Sequence, residues 1–230
     1  MSAADPRVER GLRAMLALRR QRLAAGARPL GWKVGFGSPA AVEMLGTDRP
    51  LVGFLTDQGL LPDGAAVAIG SWTQPMLEPE IAVHLARDVA GDATRDDVRA
   101  AIGGLSAAIE LADVDTPPTD PEAILAGNIF HRHVLLGEVD DGRTTAEGVR
   151  GRLVRDGAEI AATDAPEAAT GELAEVVRLT AELLAANGER LRAGDVVITG
   201  SIVPPVQVAP GETVTAEIEP LGSLTVMLGQ

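Results

Sequence analysis

Val8, Leu12, Met15, Leu16 and Leu23 recur at helical spacing, behind an Asp5-Pro6 start signal and before Gly26, so the pattern predicts an amphipathic N-terminal helix. Residues 30–37, LGWKVGFG, read as a short strand, and Ser38-Pro39 open a brief helix that Gly46 closes. LVGFL, AAVAIG and MLEPEIAVHLA, separated by Gly and Pro, then predict strands as far as residue 86. A helix from Thr94 to about Ile102 leads into another strand, LSAAIELA, and residues 113–122, DVDTPPTDPE, form a Pro- and acid-rich loop placed to fold over a site. Farther on, Asp156-Gly157 marks a hairpin turn. Thr170 is expected to cap a long helix whose buried stripe is Leu173, Val176, Val177, Leu183 and Leu184, with Thr180 as its polar interruption. DVVITGS and the segment from Pro205 to Leu228 predict a closing β-meander. Strands outnumber helices and do not alternate with them. That argues against a doubly wound parallel sheet and for an α+β, mainly β fold with outer helices, divided into an arm over 1–29 and a body over 30–230.

Composition narrows the function classes. The 230 residues carry 20 Lys+Arg against 33 Asp+Glu, a net charge of −13, which disfavours nucleic acid or an anionic membrane as partner. With no cysteine, thiolate metal sites and thiol nucleophiles are excluded. No apolar run reaches the ~18 residues of a membrane span, and the first 25 residues lack the continuous apolar stretch of a signal peptide, so a soluble cytoplasmic protein is expected. Of the basic residues, 19 are Arg and one is Lys33. Arg does not give up its proton in a protein, whereas burial tunes a Lys ammonium, so the solitary Lys is a candidate acid or base. Four of the five aromatic residues, Trp32, Phe36, Phe54 and Trp72, crowd the stretch around it.

The sharpest chemical feature is Glu78-Pro79-Glu80 in an apolar segment. On a strand the two carboxylates share a face about 7 Å apart, and burying them requires a positive partner. Two carboxylates and water suit a hard divalent cation. Glu110, alone in LSAAIELA, supplies a third carboxylate, with Asp113 as the alternative. His84 reads as an outward or capped histidine, and His131-Arg132-His133 shows no partner carboxylate nearby in sequence; a histidine zinc site is not expected. Residues 35–40, GFGSPA, imitate a dinucleotide fingerprint, but the helix behind them is too short and no βαβ unit follows.

Taken in order, GWKVGFGS, the P-x-x-G-F-L-x-D of Pro50 to Asp57, EPEIAVHLARDV, AIELAD and the final G-x-x-L-x-x-G-D-V-V-I-T-G-S resemble the fumarylacetoacetate hydrolase superfamily, in its 2-keto-4-pentenoate hydratase and 4-oxalocrotonate decarboxylase branch. The resemblance runs over residues 8–228 and implies a mixed β-roll, Mg²⁺ or Mn²⁺ bound by Glu78, Glu80 and Glu110, and a small 2-oxo acid or its enol as substrate. It makes Lys33 the acid/base, lets Asp57 share its proton, and places Asn128 and Ser201 at the substrate. Hydration of a 2-hydroxydienoate leads; decarboxylation, acylpyruvate hydrolysis, isomerisation or a silent partner subunit are the alternatives. A homo-oligomer is expected, because family members associate. Glu110-Leu111-Ala112-Asp113-Val114-Asp115 departs from the branch by lacking its Arg and Trp, which speaks against a substrate with a distal carboxylate.

Overall fold

The computed structural model of the chain describes residues 5–230; residues 1–4 of the N-terminal stretch lie outside the described residues. The strands are β1 (Pro29–Gly35), β2 (Leu51–Thr56), β3 (Leu60–Leu61), β4 (Ala65–Ala68), β5 (Pro75–Leu85), β6 (Ile102–Asp113), β7 (His131–Leu136), β8 (Asp140–Asp141), β9 (Arg150–Arg155), β10 (Ala158–Thr163), β11 (Val196–Ser201), β12 (Val206–Gln207), β13 (Thr213–Glu219) and β14 (Gly222–Gly229). The helices are α1 (Pro6–Ala24), α2 (Pro39–Leu45), α3 (Arg95–Ala101), α4 (Pro121–Ala126), α5 (Glu167–Thr170) and α6 (Leu173–Ala186). A nine-stranded sheet runs β2-β1-β11-β5-β6-β7-β3, with β12 on β5 and β8 on β6, and a five-stranded sheet runs β10-β9-β13-β14-β4. Pairing is mixed: β1 lies parallel to β11 and antiparallel to β2.

Strand alternation separates core from chemistry. On β5 and β6, Leu77, Ile81, Val83, Leu105, Ile109 and Leu111 point into the main core, which also takes Val214, Ile218 and Val226 of the second sheet. The alternate positions, Glu78, Glu80, Ser106, Ala108 and Glu110, take the other face. Pro79 has no N–H to give a ladder, and it sits where β5 passes from pairing with β12 at Leu77 to pairing with β11 at Glu80, so no donor is wasted. Helix α1 is capped by the Asp5 side chain, and Leu12, Met15 and Leu16 join the main core. Its Gly11 lies against Leu125 of α4, and Arg10 pairs with Glu122 at 2.6 Å.

Two local expectations change. Thr170 ends α5 rather than capping α6; its hydroxyl donates to the Pro166 and Gly171 carbonyls, and α6 begins after Glu172 without a side-chain cap. The closing segment is not one meander, because β12 joins the large sheet while β13 and β14 form a hairpin in the small one. The Asp156-Gly157 turn forms as read, with φ of 49° and 85°.

Candidate active site

Two strands bring the acidic residues together, and a third brings the lysine. Glu78 faces Glu110 directly across the β5–β6 ladder, and Glu80 lies two residues farther along β5, opposite Ala108 and on the same face. Lys33 enters from β1, three strand spacings from β6 through β11 and β5. In a flat sheet that is roughly 14 Å, beyond the reach of the two side chains, yet Lys33 Nζ hydrogen-bonds Glu110 Oε1. The sheet therefore curls around this face. Gly53, the β2 partner of Lys33, makes room: a Cβ there would meet Lys33 Cγ at 3.0 Å and Asn128 Oδ1 at 2.8 Å.

Hydrogen bonds group the pocket's polar side chains into two sets, one around Lys33 and Glu110 and one at Glu80. Lys33 and Glu110 are 2% and 1% exposed, and Lys33 Nζ also donates to the Ile129 carbonyl at 3.1 Å. His131 Nδ1 lies 2.7 Å from Glu110 Oε1, and because an ionised carboxylate only accepts, the imidazole donates from Nδ1. Glu80 Oε2 accepts from Gly200 N at 2.6 Å. That donor is aimed by a bulge: β11 spends one extra residue between Ile198 and Ser201, and Gly200 takes φ of 100°, which only glycine adopts freely.

Burial and like charge act against Glu78 and Glu80. Burial, reinforced by the Glu110 charge, pushes the Glu78 carboxyl up to about 7 against the pull of Lys33. Burial, then Glu110 and Glu78, push Glu80 well above the usual carboxylate range, with Lys33 and the Gly200 N–H opposing. Burial also pushes up on Glu110, but the Lys33 charge and the His131 hydrogen bond outweigh it and hold that carboxyl below its ordinary value. His131 is held down by burial and stays neutral, although Glu110 pulls the other way.

Among the described residues, no three carboxylate or imidazole groups already converge at metal-ligand separations, since Glu110 Oε1 is turned toward Lys33 and His131. The donor set nevertheless fits a hard divalent cation. Glu80 Oε1 is buried with no partner, and a cation there would also relieve the repulsion that raises both β5 carboxyls. Beside Lys33 and Glu78 opens a cavity of about 500 Å³, walled by Phe36, Met76, Val114, Pro118, Phe130 and Val203 among others. A second hollow, of about 410 Å³ on the small sheet, is lined by the ion pairs Arg150–Glu219 and Arg152–Glu217 together with Glu159 and Asp164.

Lys33, Glu78, Glu80 and Glu110 are thus brought together, and Ser201 borders the cavity with its buried hydroxyl unpartnered. Asp57 and Asn128 are not positioned as expected. Asp57 lies past the end of β2, four residues beyond the Gly53 that faces Lys33, and accepts from the Arg28 backbone and guanidinium at 2.8 Å rather than from the lysine. Asn128 is 0% exposed and spends its side chain on Phe54, accepting from its N–H at 2.8 Å and donating to its carbonyl at 3.0 Å, so it shapes the site without facing a ligand. It opens a run of three left-handed residues, with φ of 59°, 52° and 61° through Phe130, that turns the Ile129 carbonyl onto Lys33. Asp113, three residues from Glu110 and so on the opposite strand face, accepts from Thr73 N, Gln74 N and Arg132. His131 is the residue that sequence reasoning missed. Its signal was indirect: a buried Glu110 needs donors, and only the fold reveals that β7 supplies one.

Comparison with known proteins places this arrangement. The family described as fumarylacetoacetate (FAA) hydrolase C-terminal matches residues 33–228. A 2-hydroxyhexa-2,4-dienoate hydratase of Comamonas testosteroni is 30% identical over 95% of this chain and 85% of its own, and a 2-keto-4-pentenoate hydratase of Paraburkholderia phymatum is 34% identical over 88% and 79%. The solved 4-oxalocrotonate decarboxylase of Pseudomonas putida G7, complexed with magnesium and adipate, superposes with a TM-score of 0.87 at 28% identity over 93% of this chain and 83% of its own. With its curled mixed sheet, and with Lys33, the partner of Glu110, at the head of the matched region, the chain belongs to the fumarylacetoacetate hydrolase family.

Proposed function

We propose that this protein is a metal-dependent lyase of hydratase type, acting on a small 2-oxo acid or its 2-hydroxydienoate enol. The observation that carries the reading is the buried Lys33–Glu110–His131 chain set beside two carboxyls of raised pKa at the end of a ligand-sized cavity. Glu78, Glu80 and Glu110 would hold Mg²⁺ or Mn²⁺, which when bound supplies the positive charge that binds the 2-oxo acid head and favours its enolate. Glu78 and Glu80 give up their protons as the cation loads. Ser201 Oγ, buried and unpartnered, is free to donate to the substrate's carboxylate. Lys33 Nζ, fixed by Glu110 and the Ile129 carbonyl, is the one cationic group lining the cavity among the described residues, and it passes the proton that converts the dienol to the ketone and then supports water addition at the distal double bond. The apolar wall limits water to what the reaction uses.

The hydratase names among the relatives favour hydration, and the decarboxylase names keep loss of CO₂ as the second reading. Absorbance of 2-hydroxypenta-2,4-dienoate with Mg²⁺ tests the first, and CO₂ release from 4-oxalocrotonate tests the second. Decay of the dienoate signal that is abolished in Glu80→Gln supports the proposal. Turnover of neither compound, or an unimpaired Glu80→Gln, overturns it.

A further inference from the structure

Glu80 and Glu110 are held differently. Glu80 meets one donor, the Gly200 N–H, at Oε2, and its Oε1 is unpartnered. Glu110 meets two, Lys33 Nζ and His131 Nδ1, the latter at 2.7 Å, and both fall on Oε1. A carboxylate oxygen has two lone pairs, so Oε1 is filled and Oε2 is what Glu110 has left to offer a cation.

His131 spends its one side-chain hydrogen bond there. The ring is buried, Nε2 has no partner, and Gly59 gives it room, since a Cβ at Gly59 would stand 3.1 Å from Nε2. A buried nitrogen left unpaired lowers stability in a way that an apolar side chain in its place would avoid, so what the imidazole adds is the Nδ1–H on Glu110. Lys33 does not duplicate it. An ammonium on a flexible stem has rotatable donors that can follow a turning carboxylate, whereas a planar ring offers its N–H in one direction.

Resting on the reading of Glu110 as a cation ligand, we infer that His131 is a positioning residue that confines Glu110 to binding a cation through one oxygen, and so turns the site toward Mg²⁺ and against Ca²⁺. Ca²⁺ takes about six to eight oxygens, often both of one carboxylate, while Mg²⁺ is held in a near-octahedral shell. A ligand with one oxygen to give meets the second demand better than the first. Partners that orient a ligand in this way typically change metal affinity by about tenfold or more when removed.

Calorimetric titrations with Mg²⁺ and with Ca²⁺ test this on the wild type, on His131→Leu and His131→Phe, which remove the donor, and on His131→Asn, which keeps an N–H near the place of Nδ1. Circular dichroism selects the folded proteins. The ratio of Ca²⁺ to Mg²⁺ affinity should rise at least fivefold in either folded donor-free variant and stay at the wild-type value in His131→Asn. A smaller rise overturns the proposal, because a merely structural role weakens both cations alike; so does a ratio that moves as far in His131→Asn, which would assign the effect to the lost ring. A crystal structure of the wild type loaded with Ca²⁺ checks the same point without a variant: Oε1 of Glu110 should stay on His131, and both Glu110 oxygens on the ion would overturn the proposal. Absence of Mg²⁺ binding by the wild type overturns the metal reading itself, so the two failures are distinct.

Discussion

Replacing Lys33 by Met keeps most of the side chain's volume and removes its charge, leaving Glu110 almost wholly buried with His131 Nδ1, at 2.7 Å, as its remaining donor. Breaking a buried ion pair typically costs 3–5 kcal/mol. Here the cost has a ceiling, because Glu110 can escape by taking a proton. For a carboxyl of ordinary pKa (~4.3) that costs about 3.7 kcal/mol at pH 7, so the variant should be destabilised by about 3–4 kcal/mol. The ceiling carries a sign. In the native protein Lys33 and His131 hold the Glu110 carboxyl low, but without Lys33 burial dominates and its folded pKa rises above the unfolded one. A carboxyl raised in this way destabilises at high pH and is relieved as pH falls toward the unfolded value, so the penalty should shrink by up to about 1.4 kcal/mol per pH unit between pH 7 and 5. Urea unfolding in EDTA at pH 7.5 and 5.5 measures this, with Glu110→Gln and the double variant completing a cycle. The double variant should be less destabilised than the two single variants added together, by at least about 2 kcal/mol. Additive costs, or a Lys33→Met penalty that does not move with pH, would refute a buried charge pair.

Four further outcomes are expected. Because burial and like charge raise Glu78 to about 7 and push Glu80 well above the usual carboxylate range, Mg²⁺ binding at pH 6.5 should release protons and strengthen about tenfold per pH unit per proton up to neutrality; titrations in buffers of different ionisation enthalpy count them, and no release contradicts the crowding. Asn128→Ala should cost about 2–4 kcal/mol in unfolding free energy with the tightness of oxalate binding largely retained, since it orphans the Phe54 backbone groups rather than a ligand contact. Gly53→Ala should lower kcat by more than tenfold with metal affinity kept, because the added Cβ pushes on Lys33 and Asn128 but not on the β5 carboxylates. Asp57→Asn should leave kcat unchanged, and a collapse in turnover would return Asp57 to the lysine's proton path.

The parts of the fold that announce themselves locally were legible. Alternation on β5 and β6 separates Glu78, Glu80 and Glu110 from the core leucines and isoleucines, and a two-residue period suffices to see it. The lone Lys33 in an arginine-rich chain marked the other half of the site. What escaped depends on distance in space. His131 meets Glu110 only because β7 lies beside β6, and the left-handed turn at Asn128 carries no pattern that separates a residue serving the backbone from one facing a ligand. Asp57 sits in a strong motif, yet the antiparallel register with β1 sends its end of β2 away from Lys33. The Thr170 cap failed for a different reason: Thr170 closes a short helix of its own, and Gly171, with φ of 86°, intervenes before α6.

The most direct test of the central claim is calorimetric binding of oxalate to the wild type in Mg²⁺, in Mn²⁺ and in EDTA, repeated with Glu80→Gln. The buried carboxylates around Lys33 predict binding that requires the cation and disappears in the variant. Binding that persists in EDTA or in Glu80→Gln, or no binding under any condition, would contradict a metal-held 2-oxo acid site.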